Sequence, residues 1–433
     1  MSKEEIPEEY ELTDDDENPL ESTFDREKTH SRLSKKNAEV INEFLGTGPR
    51  SVEVYEPEWY YWALSAWTTK RILESSGWKI VSVLGYHLRQ PFYRDIQTDY
   101  TKFETCLTNG QMLAEKDGVR FAITVSCTLG DINAIQIEAG LEHEEQVKKL
   151  IQDMTDFQKK NNFYRGKRIC LEPGISFVTA GQKDWASVIL DPVMKKEIRL
   201  NSVDFLKCCE KLEKFGVPLK RGIILAGAPG TGKTATCKAL MFEGEGITRI
   251  ATSAYRMIRE EYISDMFVIA QELNPTIIFI EDLDFIGQER NDFFRGRPAL
   301  IALLAEMDGI EEKKAIVTIA TTNDVETLDK ALSERPSRFD RVFKIGLPNH
   351  HQRYELLKCL SWKNPLSEEI TEYILKKTDG FTPAQLQEIV HGMVISHVAR
   401  GEDTMQFTGS DVDSVISMIN YQKTGKIGFN ASS

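Results

Sequence analysis

Residues 227–234 read Gly227-Ala228-Pro229-Gly230-Thr231-Gly232-Lys233-Thr234. A short apolar strand pattern, Gly222 to Ala226, runs into them, and a helical pattern leaves them at Ala235. A G-x-x-x-x-G-K-T loop between strand and helix is a phosphate cradle. Its glycines let consecutive backbone N–H groups wrap one anion. The open amides of the helix's first turn add partial positive charge. Lys233 then reaches the β- and γ-phosphates of a nucleotide, and the Thr234 hydroxyl binds Mg²⁺. Gly227 through Ala235 are therefore the expected nucleotide contacts, with ATP and Mg²⁺ as the ligands. Such a loop needs a parallel sheet around it.

Two further strands carry polar tips. Thr276–Ile280 is apolar and ends in Glu281 and Asp282. A buried strand followed by paired carboxylates suits an acid that orients Mg²⁺ and a second acid that polarises the attacking water. By position, Glu281 serves the metal and Asp282 the base. Ala315–Thr322 is a third strand, followed by Asn323. An amide there can hold the lytic water against the γ-phosphate; a simple strand cap explains it too.

The chain has 433 residues, enough for two or three domains. Hydrophobic residues make up 41% and charged residues 28%, an ordinary soluble balance. No run of about 18 apolar residues occurs, so no membrane span is expected. The first residues are acidic and lack an apolar core, which predicts no secretory signal. The formal net charge of −13 disfavours a dedicated nucleic-acid binder. Seven cysteines without C-x-x-C spacing argue for a reducing, cytoplasmic setting and against a zinc ribbon.

Texture along the chain predicts an acidic, disordered arm over 1–45, an α/β domain over 46–168, and a connector over 169–184. In the second of these, an aromatic helix opens near Trp59, strands fall near 78–84, 120–126 and 132–138, and a helix covers 142–160. The cluster Trp59-Tyr60-Tyr61-Trp62 reads as core or as a docking patch. From 185 to 348 strands and helices alternate, which predicts a doubly wound parallel sheet. Residues 350–361, 367–378, 383–400 and 409–420 each carry a helical stripe, giving a helical subdomain over 349–425 and a tail over 426–433.

Taken together, residues 185–420 resemble an AAA module, the branch of the AAA+ superfamily that remodels proteins. The order matches: Trp185 with Val188 and Ile189, the glycine-rich loop, the strand ending at Asp282, Leu303 to Gly309, Thr321-Thr322-Asn323, then Arg335-Pro336-Ser337-Arg338-Phe339-Asp340-Arg341. The resemblance implies that Arg335 and Arg338 are arginine fingers for a neighbouring subunit's ATP, and hence a ring, usually a hexamer. A planar guanidinium can stabilise charge growing on the γ-phosphate. It also implies a helical lid, with Val188, Ile189 and the Ala384 backbone around the adenine. Thr382 and Pro383 fit equally well as an N-cap and first helical residue. Protein substrates or adaptors would enter through the N-terminal domain.

Two departures stand out. The family usually ends its acidic strand Asp-Glu; here the order is Glu281-Asp282. With Thr382-Pro383-Ala384-Gln385, the inversion resembles the branch containing the mitochondrial translocase of folded Rieske protein. That translocase's membrane span is not matched, so its location and cargo are not carried over. The central pore loop lacks its glycine: Tyr255 or Met257 could grip a peptide, or the segment is an ordinary helix face. Phe293 and Phe294 fall where a second pore loop would lie. No H-E-x-x-H follows the module, which argues against a fused protease. A DNA-directed ATPase and a binding-only regulator are the alternatives.

Overall fold

The computed structural model describes residues 35–86, 90–128, 133–171, 174–179, 181, 183–287, 296–310, 314–324, 339–401 and 406–423. The chain divides into two compact units, meeting between Asn162 and Phe163.

The first unit is built on a six-stranded antiparallel sheet. Its strands are β1 (Arg50–Tyr55), β2 (Lys79–Leu84), β3 (Phe92–Gln97), β4 (Phe103–Lys116), β5 (Val119–Ser126) and β6 (Ala134–Gly140), in the order β1-β6-β5-β4-β2 with β3 also on β4. Alternation along a strand gives the sheet two buried faces. Ala114 pairs with Phe121 and Met112 with Ile123, so these four share one face. Leu113 and Ala122 pair on the other, where Ile41 of helix α1 (35–45) packs on them. Helices α2 (Trp62–Ser75) and α3 (Glu144–Lys160) pack on each other and on β4 and on β1 and β6 respectively. In the aromatic cluster Tyr60 and Tyr61 are core residues, while Trp59 is partly exposed.

Several expectations change here. Residues 35–45, assigned to a disordered arm, form a helix with a buried Ile41; Val40, Ile41, Phe44 and Leu45 supply its apolar stripe. The rest of the arm lies outside the described residues. β1, β3 and β4 were not anticipated. β4 is broken in pattern by Thr108, Asn109, Gly110 and Gln111, which are buried and, in the case of Gln111, hydrogen-bonded to Thr124 Oγ1 at 3.0 Å.

The second unit holds a seven-stranded sheet of β7 (Arg168–Leu171), β8 (Ile175–Phe177), β9 (Lys220–Ala226), β10 (Thr248–Ser253), β11 (Thr276–Glu281), β12 (Ile316–Thr322) and β13 (Arg341–Lys344). The order is β13-β9-β12-β11-β10-β7-β8. Every pairing is parallel except β7 with β8. β7 and β8 occupy residues expected to be a connector, except Arg168, which was expected to close the preceding domain. Only three residues join them, too few for a parallel crossover, so β8 turns back antiparallel. β12 sits between β9 and β11, with Thr322 opposite Ala226 and Ala320 opposite Ile280. That insertion brings the C-terminal ends of three strands together. Ligands bind such sheets at the carboxyl ends of the strands, where strand order reverses.

Helices α4 (Pro192–Arg199), α5 (Lys233–Phe242), α6 (Glu260–Glu272) and α7 (Gly296–Gly309) flank this sheet. Ile223, Leu225, Ile277, Phe279, Val317 and Ile319 form a core with Leu240 of α5. The lid then follows as α8 (His350–Leu360), α9 (Glu368–Lys377), α10 (Pro383–Ala399) and α11 (Gly409–Lys423), around Ile374, Leu386, Met393 and Val412. Asn349 and Thr382 start α8 and α10 as reciprocal capping boxes with Gln352 and Gln385. Among the described residues, no helix is long and apolar enough to cross a membrane.

In the first unit Phe121 is fully buried and stacked on Trp78, with ring centroids 4.4 Å apart. Phe121→Ala is expected to destabilise that unit by about 3–5 kcal/mol. Urea unfolding followed by tryptophan emission checks this. A loss below about 1 kcal/mol would mean that the stacked pair is not a core contact.

Candidate nucleotide-binding site

β9 ends at Ala226 and the chain turns at once. Gly230 and Gly232 have φ of 80° and 104°, a left-handed backbone that glycine adopts without strain. Gly227 is required for a different reason. A methyl group there would lie 2.3 Å from the carbonyl oxygen of Ile345, at the end of β13. The loop is anchored on both sides. Gly227 N–H donates to the Thr322 carbonyl at 3.2 Å, and the Thr231 hydroxyl donates to the Ala228 carbonyl at 2.9 Å. Ala228, Pro229 and Gly230 are exposed, and Thr234 and Ala235 open α5 half-buried.

Lys233 is 5% exposed. Its ammonium donates to the Gly227 carbonyl at 2.7 Å, the Ala228 carbonyl at 3.0 Å and Asn323 Oδ1 at 2.8 Å. Three acceptors match the three N–H bonds of a lysine. Burial draws its pKa below the ordinary lysine range, with the Asp282 and Asp284 charges opposing. The structure thus joins Lys233 to Asn323, at the tip of β12.

The acids follow β11. Glu281 is half-buried, and burial pushes its carboxyl above the usual range; Lys238 opposes this and Asp282 adds to it. Asp282 is exposed and has φ of 57°, a left-handed position that aspartate tolerates. Its N–H donates to Thr321 Oγ1 at 3.1 Å, and Leu283 N–H donates to the Thr321 carbonyl at 2.8 Å. Asp284 Oδ1 accepts the Asn323 N–H at 3.1 Å. Sequence assigned no role to Thr321, named only within the Thr321-Thr322-Asn323 stretch, or to Asp284. The repeat of acids at 281, 282 and 284 was the available signal for Asp284. The donor set fits a hydrated divalent cation: one hydroxyl from Thr234 and carboxylates from the end of β11.

The lid touches the loop directly. Ala384 N–H donates to the Gly230 carbonyl at 3.2 Å. A methyl group on Gly230 would lie 3.0 Å from Ala384 Cβ. The turn Trp185–Ser187 packs against α5. Val188 belongs to the hydrophobic core, and its carbonyl accepts from Lys195 Nζ at 2.6 Å; Ile189 is half-buried. Arg335 and Arg338 lie outside the described residues, as do Phe293 and Phe294. Asp340, two residues on from Arg338, accepts Gly222 N–H at 3.2 Å and Arg341 opens β13, so this stretch also serves the sheet.

Gly227→Ala is expected to weaken labelled-ATP binding by on the order of tenfold or more, since the clash falls on backbone rather than a movable side chain. Affinity within about twofold of the parent would show that the loop yields without cost.

Residues 223–347 match the family described as ATPase family associated with various cellular activities (AAA). The chain is similar to the ATP-dependent zinc metalloprotease FtsH 2 of Salinibacter ruber, 34% identical over 230 residues, covering 51% of this chain and 33% of that protein. It is similar to the ATP-dependent zinc metalloprotease FtsH of Aster yellows witches'-broom phytoplasma, 38% identical over 204 residues, 45% of this chain and 30% of the relative. A third is the ATP-dependent zinc metalloprotease FtsH 3 of Sphaerobacter thermophilus, 32% identical over 235 residues, 52% and 47%. The chain thus spans less than half the length of these relatives. With the glycine-rich loop, the inserted strand β12 and the helical lid in one unit, this chain carries an AAA-type ATPase domain.

Proposed function

We propose that the chain hydrolyses ATP with Mg²⁺ and, as a homo-oligomeric ring of hexameric type, remodels protein substrates or complexes. The observation that carries this reading is the Lys233 ammonium, bonded at once to the loop carbonyls and to Asn323 where β9 and β12 end. The relatives are named as ATP-dependent and as proteases, which supports ATP as fuel and proteins as what is worked on. Substrates or adaptors are taken up through the first unit. The setting is cytoplasmic. A net charge of −13 weighs against a DNA-directed machine.

In this reading the triphosphate lies along residues 227–235. Lys233 exchanges its carbonyl partners for β- and γ-phosphate oxygens. Thr234 and Glu281 would hold Mg²⁺, which would supply positive charge to offset that of the phosphates. Asp282 accepts a proton from water as that water's oxygen bonds to the γ-phosphorus, and the bond to the β-phosphate oxygen breaks. Asn323 positions the water. Arg335 and Arg338 of one subunit reach the ATP of the next. Val188, Ile189 and Ala384 border the adenine.

Lys233→Ala is expected to abolish phosphate release. Asp282→Asn should lower turnover by about 10²–10⁴-fold, the usual worth of a positioned general base, while leaving ATP binding intact. Glu281→Gln should instead raise the Mg²⁺ requirement. If Asp282→Asn turns over normally, the base is assigned to the wrong acid. Sizing in ATP should give a hexamer; tight ATP binding without phosphate release would instead support a regulator that only binds.

A further inference from the structure

A second lysine of this unit directs its ammonium at backbone. α4 begins soon after the turn Trp185–Ser187. Asp191 is its N-cap, accepting from Val193 N–H at 3.0 Å and Met194 N–H at 3.1 Å, and Pro192 opens the helix. Side chains of a helix lean toward its N-terminus, so residue 195, one turn in, reaches back to the preceding turn. Lys195 Nζ donates to the Val188 carbonyl at 2.6 Å and to the Ala186 carbonyl at 3.2 Å. It also lies 5.6 Å from the centroid of the buried Trp185 ring, a cation–π contact. Burial draws its pKa below the ordinary lysine range, with Asp184 opposing.

The bond to Val188 fixes more than one carbonyl. The Val188–Ile189 peptide is trans. In a planar trans peptide the C=O and the N–H point in opposite directions. A Val188 carbonyl turned onto Lys195 therefore turns the Ile189 N–H away from it. The turn before it is closed on itself. Ala186 N–H donates to Asp184 Oδ1 at 2.9 Å, Ser187 N–H to the Asp184 carbonyl at 3.0 Å and Val188 N–H to the Trp185 carbonyl at 3.2 Å. Ile189 is half-buried, and among the described residues its N–H meets no acceptor. A half-buried donor calls for an acceptor from outside the chain. Ring nitrogen N1 of adenine is a bare acceptor, whereas N1 of guanine carries a hydrogen.

We propose that Lys195 is a positioning residue for base selection: by holding the Val188 carbonyl it aims the Ile189 N–H at N1 of adenine, so that ATP is taken in preference to GTP. This rests on the ATP-binding reading of the site, in which Val188 and Ile189 border the base. Guanine sets its own N–H against that donor and leaves both without an acceptor, a mismatch that costs more than an absent contact. Without the ammonium, the peptide plane between Val188 and Ile189 is free to turn. Adenine then loses a donor prepared for it. Guanine gains an acceptor, because the Val188 carbonyl is released. In this reading Lys195 touches no phosphate, so the hold on the triphosphate is unaltered.

The test uses the full chain with Mg²⁺ and three probes: ATP, GTP and inorganic tripolyphosphate, each measured by displacement of labelled ATP. The parent should bind ATP about tenfold or more tightly than GTP. In Lys195→Met, which keeps the apolar stem, ATP affinity is expected to fall about tenfold and the ATP-to-GTP ratio to approach one, while tripolyphosphate stays within about twofold of the parent. Lys195→Arg, which can still donate to two carbonyls, should keep the preference for ATP. A fourth probe, 1-deaza-ATP, has C–H in place of N1. It should bind the parent about tenfold less tightly than ATP, and Lys195→Met should no longer tell the two apart. If thermal unfolding shows that Lys195→Met does not fold, Lys195→Gln, expected to lose the same discrimination, and the parent's response to 1-deaza-ATP decide. Equal losses of ATP, GTP and tripolyphosphate would make Lys195 a structural residue and overturn the proposal. An unchanged ATP-to-GTP ratio overturns it too, as does a parent that holds 1-deaza-ATP as tightly as ATP. A parent that binds ATP and GTP alike overturns this inference and leaves the reading of the phosphate loop intact. A parent that takes up neither nucleotide nor tripolyphosphate overturns both.

Discussion

A single buried cation organises the nucleotide site. An ammonium taken out of water without partners costs several kcal/mol, and Lys233 offsets this with two carbonyls of its own loop and one amide from a neighbouring strand. The arrangement works only because β12 is inserted beside β9, which puts Asn323 at the mouth of the loop. It also sets the Asn323 side chain. Lysine can only donate, so Oδ1 faces it and the amide NH₂ faces away. A phosphate oxygen that draws the ammonium toward itself must therefore compete with a tip of the sheet as well as with the loop. In the proposed reading, binding and the position of β12's tip are tied by that competition.

The inverted acids look different once the backbone is known. Swapping Asp and Glu along a fixed strand moves each carboxylate by about 1.5 Å, one carbon–carbon bond. The backbone is not fixed here. Glu281 is the last strand residue, whereas Asp282 has left strand geometry with φ of 57°. Its direction is set by the Thr321 hydroxyl on its amide, so reach alone does not decide what it can touch. Glu281 stays half-buried with its charge disfavoured, and Asp282 is solvated beside it. Two neighbouring carboxylates thus have separate environments, the condition under which they take separate roles.

Features with a local cause were legible in the sequence. The loop at 227–234 needs particular residues at particular positions. β9, β11 and β12 are apolar runs because both faces are covered, and the lid helices carry stripes with capping residues at Asn349, Ser367 and Thr382. What escaped was set by distant partners. β4 buries Thr108, Asn109 and Gln111, which look solvent-facing until their sheet neighbours satisfy them. β7 is only four residues long and gains its identity from β10 alongside it. Thr321 and Asp284 matter through hydrogen bonds to backbone amides 39 residues away in the chain, and no spacing rule encodes those.

The hairpin of β7 and β8 has a practical bearing. A recombinant fragment started at 185, where sequence texture first suggests an independent piece, would discard it. Ile250 and its neighbours would then form a bare rim, with amides and carbonyls open to pairing with other molecules. Arg249 would lose the Gly166 carbonyl, which it holds at 3.0 Å, and the Tyr262 hydroxyl would lose that of Leu171. Starting the fragment at Phe163 preserves the seal, and with it the solubility of whatever is to be purified.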